Sequence, residues 1–189
     1  IERVWQELGA SDSVFQPALA HRLDRGTSGV VVVAKTRKAL LDVQRQIQAK
    51  DTPKEYLALV EGVPSKASGS VKEKLARVDS RDRGAKSIVV RADEAGQESE
   101  TRWKIRRKFA GYALLDVQIL SGRLHQIRAH MASIGHPIAG DDRYGTAKFQ
   151  GLKRPFLHAA RLGLRLYGRQ VFFEAPLPKD LEAVVDKLE

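Results

Sequence analysis

The chain of 189 residues contains no cysteine. That removes disulfides, thiolate nucleophiles and cysteine-based zinc sites together. No stretch approaches the roughly 18 apolar residues that a membrane-spanning helix requires. No secretory leader pattern appears either, so a cytoplasmic protein without a membrane partner is expected. Internal repeats and long low-complexity tracts are missing. Neither GxxxxGK[ST] nor GxGxxG stands at a strand-to-helix turn, which excludes the common phosphate-cradling loops. There is no GxSxG nucleophile elbow and no HExxH zinc pair. Acidic charge is in short supply: 23 Asp and Glu stand against 33 Lys and Arg, a formal charge of +10. Such an excess attracts phosphate backbones and releases their counterions on binding. A merely soluble basic protein has the same count.

What is present fits a globular domain. Hydrophobic residues make up 42% of the chain, and the length suits one domain over residues 1–189. The first residue is Ile1 rather than Met, so the chain is read as a fragment or a trimmed product. Ile1, Val4, Trp5 and Leu8 have helical spacing, as do Leu40, Val43 and Ile47 within Thr36–Lys50. The run Val30–Ala34 reads as a buried strand, and Lys54–Gly62 as a strand closed by Gly62 and Pro64. Ser65–Gly84 is polar and glycine-dotted, with no element assigned. KSIVVRA, TRWKIRRKF and YALLDVQIL read as three strands with turns near Gly96 and Gly111. A helix is expected over Arg123–Ile134, then an irregular stretch through Gly145, a strand pair in FLHAARLGLRL and RQVFFEAP, and a helix opened by Pro178. The expectation is an α+β fold with a mixed, largely antiparallel sheet and a few helices.

The opening motif HRLDRGTSG, His21–Gly29, raises the chemical question. Asp24 stands between Arg22 and Arg25, before a glycine-flanked turn and the valine run. A carboxylate there is either a structural ion pair or a working group. In GRLHQIRAHMASIG, Arg128 lies at the edge of the apolar face formed by Leu124, Ile127, Met131 and Ile134. A guanidinium so placed either snorkels to water or needs a carboxylate, and Asp24 is a candidate. From the residues alone the two readings are equally good. Histidines 21, 125, 130, 136 and 158 suggest structural or RNA-contact roles rather than a metal, because His125 and His130 fall on different helix faces. Asp141 and Asp142 beside Gly140 read as a turn. Tyr56, in KEYLALVEG, shares a strand face with Ala58 and Val60 and is either core or a stacking surface. Arg25, Lys54, Arg143 and Arg106–Lys108 are candidates for phosphate contacts, or ordinary solvated charges.

Together these segments resemble the RluA family of pseudouridine synthases. HRLDRGTSG matches the family's HRLDxxTSG motif, KEY its KxY motif, and GRLHQIRAHMASIGHPIAGDDRYG its third block. FLHAARL resembles the segment that follows. DDRYG and FLHAARL are closest in wording to the RluC-like branch, which acts on large-subunit ribosomal RNA. The resemblance implies a pseudouridine synthase fold with a central RNA-binding cleft. It implies Asp24 as the catalytic aspartate, Arg22 as the arginine entering the RNA stack, and Tyr56 as the tyrosine stacking on the flipped uracil. It also implies Arg128 as the arginine paired with that aspartate, and Ile127 as a wall of the base pocket; His21 belongs to the same motif and is expected at the substrate. Two departures stand out. Leu124 occupies a position where the family commonly has Thr or Ser, and the family's early strand ending in Lys-Pro, like any S4-like domain, does not precede Ile1.

The expected activity is isomerisation of uridine to pseudouridine in RNA by a monomer, with no cofactor or metal implied, since the reaction needs neither a redox change nor a group donor. A tRNA-directed synthase of the same family and a non-catalytic RNA-binding module are the alternatives. A metal-dependent nuclease using His136, Asp141 and Asp142 is a third.

Overall fold

The computed structural model describes residues 15–49, 52–79, 84–145, 149 and 151–189. The helix expected over Ile1–Leu8 lies outside them. Short strands β1 (Ala18–Leu19), β2 (Ser28–Gly29) and β3 (Val33–Ala34) precede helix α1 (Arg37–Gln48). Five longer strands follow: β4 (Lys54–Glu61), β5 (Ser68–Val78), β6 (Lys86–Val90), β7 (Gln97–Phe109) and β8 (Tyr112–Ile119). Then come α2 (Gln126–Ser133), β9 (Leu157–Leu166), β10 (Arg169–Glu174) and α3 (Lys179–Leu188). The main sheet runs β10-β9-β4-β8-β7-β5-β6, with β2 added beside β9; β1 and β3 form a separate ribbon. Among the described residues every pairing is antiparallel except β2 on β9. The expected α+β class is what the chain adopts.

Both faces of the central strand are covered. Ala58 and Val60 on one face and Leu59 on the other are fully buried, packed among Leu115, Met131, Ile138, Phe156 and Leu181. Burial on both sides explains why KEYLALVEG is apolar without alternation. Helix α1 is capped by Thr36, whose hydroxyl accepts the Ala39 N–H at 3.2 Å. It lays Val43 against Leu162 and Leu164.

Three expectations are corrected. The valine run is not one buried strand. Val30–Val32 are half-buried or exposed and pass between two pairings, with Val30 N–H bonded to Ala159 O and Val32 O accepting from Ala20 N–H. The polar stretch after Ser65 contains an eleven-residue strand, β5. Its residue Gly69 sits under an indole: a Cβ there would lie 2.7 Å from Trp103 Cζ2. Helix α2 starts at Gln126, three residues later than expected, because His125 adopts a left-handed conformation (φ 51°). Leu124 therefore precedes the helix and leaves its apolar face, and at the other end Ile134, the C-cap, is exposed.

Candidate active site

Strand register brings three sequence-distant segments to the start of β4. Tyr56 pairs with Val117 of β8 on one side and Ala159 of β9 on the other. Ala159 also pairs with Gly29 of β2, so the turn carrying Asp24 arrives next to Tyr56. On the opposite side β8 ends with Ile119 against Lys54, and the chain turns through Ser121–Arg123 into α2. The β4–β9 register slips between Glu55 and Tyr56. Such an irregularity re-aims a side chain.

The Asp24 turn is closed by the Thr27 N–H bond to Asp24 O, 2.9 Å. It then passes so close to β9 that a Cβ on Gly29 would lie 2.1 Å from Ala159 O; only glycine fits, and φ is +127°. Asp24 stands where two cavities meet. One is an open cleft of about 1290 Å³, edged by Arg25, Arg143, Lys153 and Arg154. The other is a pocket of about 240 Å³, walled by Tyr56, Ile119, Ile127 and Leu157. Arg22, Asp24, Arg77, Leu124 and Arg128 line both.

The expected partner of Arg128 is not the one it uses. Its Nε and Nη2 donate to Asp141 Oδ2 and Oδ1 at 2.6 and 2.7 Å, both side chains being almost fully enclosed. Asp141 Oδ1 also accepts the Arg143 N–H at 3.0 Å. Burial disfavours the Arg128 charge, but the bonds to Asp141 and the fields of Asp141 and Asp24 outweigh it, and its pKa is raised. Arg128 also lies 5.2 Å from the centroid of the Tyr144 ring. Among the described residues the Asp24 carboxylate has no hydrogen bond or ion pair; it acts on its neighbours through its field.

That field is felt by two groups besides Arg128. Burial and, next, the Asp24 charge push the Tyr56 phenol up to about 12, so it stays protonated at neutral pH. His125 is pushed down by burial and the Arg128 charge, against a smaller opposing effect of Asp24. The wall behind is densely satisfied. Gln126 Oε1 accepts from Ser121 Oγ (2.8 Å) and Arg123 N–H (3.1 Å), while its Nε2 donates to Glu100 O (2.9 Å). His130, fully buried, contacts Thr101 Oγ1 at 2.9 Å and Ser99 Oγ at 3.2 Å, and burial lowers its pKa to about 4.

A sequence model described as RNA pseudouridylate synthase matches residues 3–133. The chain belongs to this family. Over 182 residues it is 41% identical to the ribosomal large subunit pseudouridine synthase C of Escherichia coli K12, covering 90% of this chain and 56% of the relative. An uncharacterized RNA pseudouridine synthase of Chloroflexus aurantiacus is 41% identical over 93% of this chain and 54% of its own length. The chain thus spans about half the length of the relatives it matches. Two human structures, RNA pseudouridylate synthase domain containing 1 and 4, share the fold with TM-scores of 0.76 and 0.77 at 23% and 24% identity. They cover 92% and 91% of this chain, and it covers 80% and 76% of theirs.

Within this synthase-family domain the sequence-expected residues divide into two groups. Arg22, Asp24, Tyr56, Ile127 and Arg128 converge on the small pocket, and Arg25 and Arg143 edge the large cleft. Arg143 is further held by its bond to Ala85 O, 2.8 Å. His21 and Lys54 line neither cavity. His21 Nε2 accepts the Val32 N–H at 3.1 Å, and burial followed by the Lys54 charge lowers its pKa. Lys54 is buried, reaches Leu120 O at 3.4 Å, and has its pKa lowered by burial. Both are bonded to the backbone instead, at Val32 and at Leu120. Of the basic run 106–108, Arg106 pairs with Asp116 and Arg107 with Glu189.

Both Asp141 oxygens are taken by Arg128, and among the described residues no three His, Asp or Glu side chains cluster as a metal site around His136 and Asp141. Sequence reasoning missed Asp141 as the partner of Arg128, and missed Arg77, Tyr144 and Arg154 entirely. A buried arginine demands a carboxylate, and that signal was legible. The choice between Asp24 and Asp141 was not.

Proposed function

We propose that this chain is the catalytic part of an RNA pseudouridine synthase, with Asp24 as the catalytic carboxylate, Tyr56 as the stacking residue and Arg128 as a wall of the same pocket. The observation carrying this is the placement of Asp24, unpartnered among the described residues, where a cleft edged by cations opens into a small pocket beside Tyr56. The cleft takes the phosphate backbone through Arg25, Arg143 and Lys153. The pocket takes one base, turned out of its stack, between Tyr56 and Ile127. Arg22, exposed at the rim, is suited to fill the vacated place in the RNA.

In the reaction the N1–C1′ bond of uridine breaks, the uracil turns in place, and its C5 bonds to C1′. C5 loses its proton and N1, freed from C1′, gains one, so atoms balance without a donor. The Asp24 carboxylate either attacks C1′ or removes the 2′ proton to give a glycal. Tyr56, held protonated, holds the uracil by stacking and donates a hydrogen bond rather than acting as a phenolate. The relatives named for the ribosomal large subunit support large-subunit ribosomal RNA as the substrate, with transfer RNA as the alternative. The reading includes a cytoplasmic monomer.

The test uses unmodified ribosomal and transfer RNA transcripts, with EDTA present, and maps pseudouridine by carbodiimide labelling and primer extension. The expected result is a stop at a defined uridine in the ribosomal transcript that disappears with Asp24→Ala. A stop that persists in Asp24→Ala contradicts the role of Asp24, and loss of activity with EDTA points to a metal-dependent reaction.

A further inference from the structure

The segment KRPFLHAARL, 153–162, has a role that the base pocket does not account for. Arg154 bridges three parts of the fold. Its Nε and Nη2 donate to Asp180 Oδ2 and Oδ1 at 2.8 and 3.0 Å, in the first turn of α3. Its Nη1 donates to Gly26 O at 2.8 Å and to Ser28 Oγ at 3.2 Å, on the turn that carries Asp24. The relay continues inward. His158, 1% exposed, has Nε2 at 3.0 Å from Ala175 O and Nδ1 at 2.9 Å from Ser28 Oγ. A carbonyl only accepts, so Nε2 carries the proton. In the neutral ring Nδ1 then accepts from the Ser28 hydroxyl, which leaves the Ser28 oxygen free to receive Arg154. Every bond in the chain has one consistent direction. Gly26 completes the contact, since a Cβ there would meet Pro155 Cδ at 3.2 Å and Arg154 Cβ at 3.3 Å, at φ +86°.

We infer that Arg154 is a positioning residue: anchored by Asp180 of the C-terminal helix, it fixes the Gly26–Ser28 turn and thereby aims the Asp24 carboxylate at the pocket. Helix α3 can serve as the anchor because Leu181 and Val184 are buried in the main core. Nothing in this network touches the Asp24 side chain itself, so its effect reaches the reaction through backbone placement alone. The inference rests on the assignment of Asp24 as the catalytic group.

Arg154 also edges the cleft, so the charge-preserving Arg154→Lys variant is the informative one. A lysine still attracts phosphate but cannot bridge Asp180, Gly26 and Ser28 together. Three quantities are measured on the variant: single-turnover pseudouridine formation, RNA affinity, and backbone amide hydrogen exchange over residues 24–30. The expected result is a rate about ten- to a hundredfold lower, since small misplacement of a reacting group costs that much. RNA affinity stays within about twofold and exchange at Thr27 and Val30 is faster. Asp180→Asn, outside the cleft, shifts rate and exchange the same way but less. Unchanged exchange in Arg154→Lys overturns the inference, as does a rate loss fully matched by lost RNA affinity. If the wild-type chain makes no pseudouridine, the assignment of Asp24 fails, while the exchange measurement still decides whether Arg154 fixes the turn.

Discussion

Two walls of the same pocket are built in opposite ways. The wall contributed by α2 and the turn after it is closed: the Gln126, Arg128, His130 and Asp141 side chains are all buried, and each is hydrogen-bonded within the chain. The wall contributed by the Asp24 turn is open. Arg22 and Arg25 are exposed, and the Asp24 carboxylate is left without a described partner. The closed wall stores its charges as an ion pair and shapes the site. The open wall keeps one charge unspent, in range of Tyr56, His125 and Arg128. An uncommitted carboxylate can meet substrate without first breaking a contact within its own chain. Stability and chemistry are therefore expected to separate when the two walls are altered in turn.

The largest effect on folding is expected from Asp141→Ala. It strands the Arg128 guanidinium in the interior, and breaking one side of a buried pair costs about 3–5 kcal/mol. Urea denaturation should show the midpoint falling with an unchanged slope. A loss below about 1 kcal/mol would mean that Arg128 finds Asp24 instead, and the contrast between the walls would collapse.

Next comes acid sensitivity of the closed wall. His130 is held neutral, with its pKa lowered to about 4. The unfolded chain, at about 6.5, takes up a proton that the native state refuses, so stability is complete above pH 6.5 and falls as pH drops toward 4. The difference is worth about 3 kcal/mol over the whole window, at about 1.4 kcal/mol per pKa unit. His21 and His125, lowered in the same direction, add to the slope. Between pH 6.5 and 5 most carboxylates stay ionised, so thermal melts in that range isolate the histidines. His130→Gln should flatten the profile, and an unchanged slope would remove His130 from the account.

A smaller effect on folding is expected at Tyr56, on β4 between the two walls. Tyr56→Phe keeps the ring and loses only the hydroxyl, so stability should move by less than about 1 kcal/mol. Pseudouridine formation should fall by about two- to tenfold, on the scale of one lost hydrogen bond to the base. Equal loss in RNA binding would show instead that the hydroxyl serves affinity.

The open wall was more legible in sequence than the closed one. HRLD and KEY single out the candidate residues Asp24 and Tyr56 by motif, and the strand KEYLALVEG announces itself by composition. The closed wall depends on long-range partners. Asp141 looked like a turn residue because its neighbours are Gly140 and Asp142, and only the folded chain shows both of its oxygens taken by Arg128. The late start of α2 follows from a left-handed His125, a conformation that nothing in the local pattern requires. Strand β5 escaped because its buried residues Val71 and Leu75 are four apart and its remaining residues, apart from the exposed Val78 at its end, are polar or small. The valine run misled for the opposite reason: its side chains are apolar, yet the backbone crosses from one pairing to another there.

The separation of the two walls is tested most directly by Asp24→Asn, measured for unfolding free energy and for single-turnover pseudouridine formation on the same preparation. The substitution keeps the shape and removes the charge. Stability within about 0.5 kcal/mol of the wild type, as for a surface change, together with no detectable pseudouridine, is the predicted result. Retained product, or a loss of stability comparable to that of Asp141→Ala, would show that Asp24 is a structural carboxylate and that the reacting group lies elsewhere.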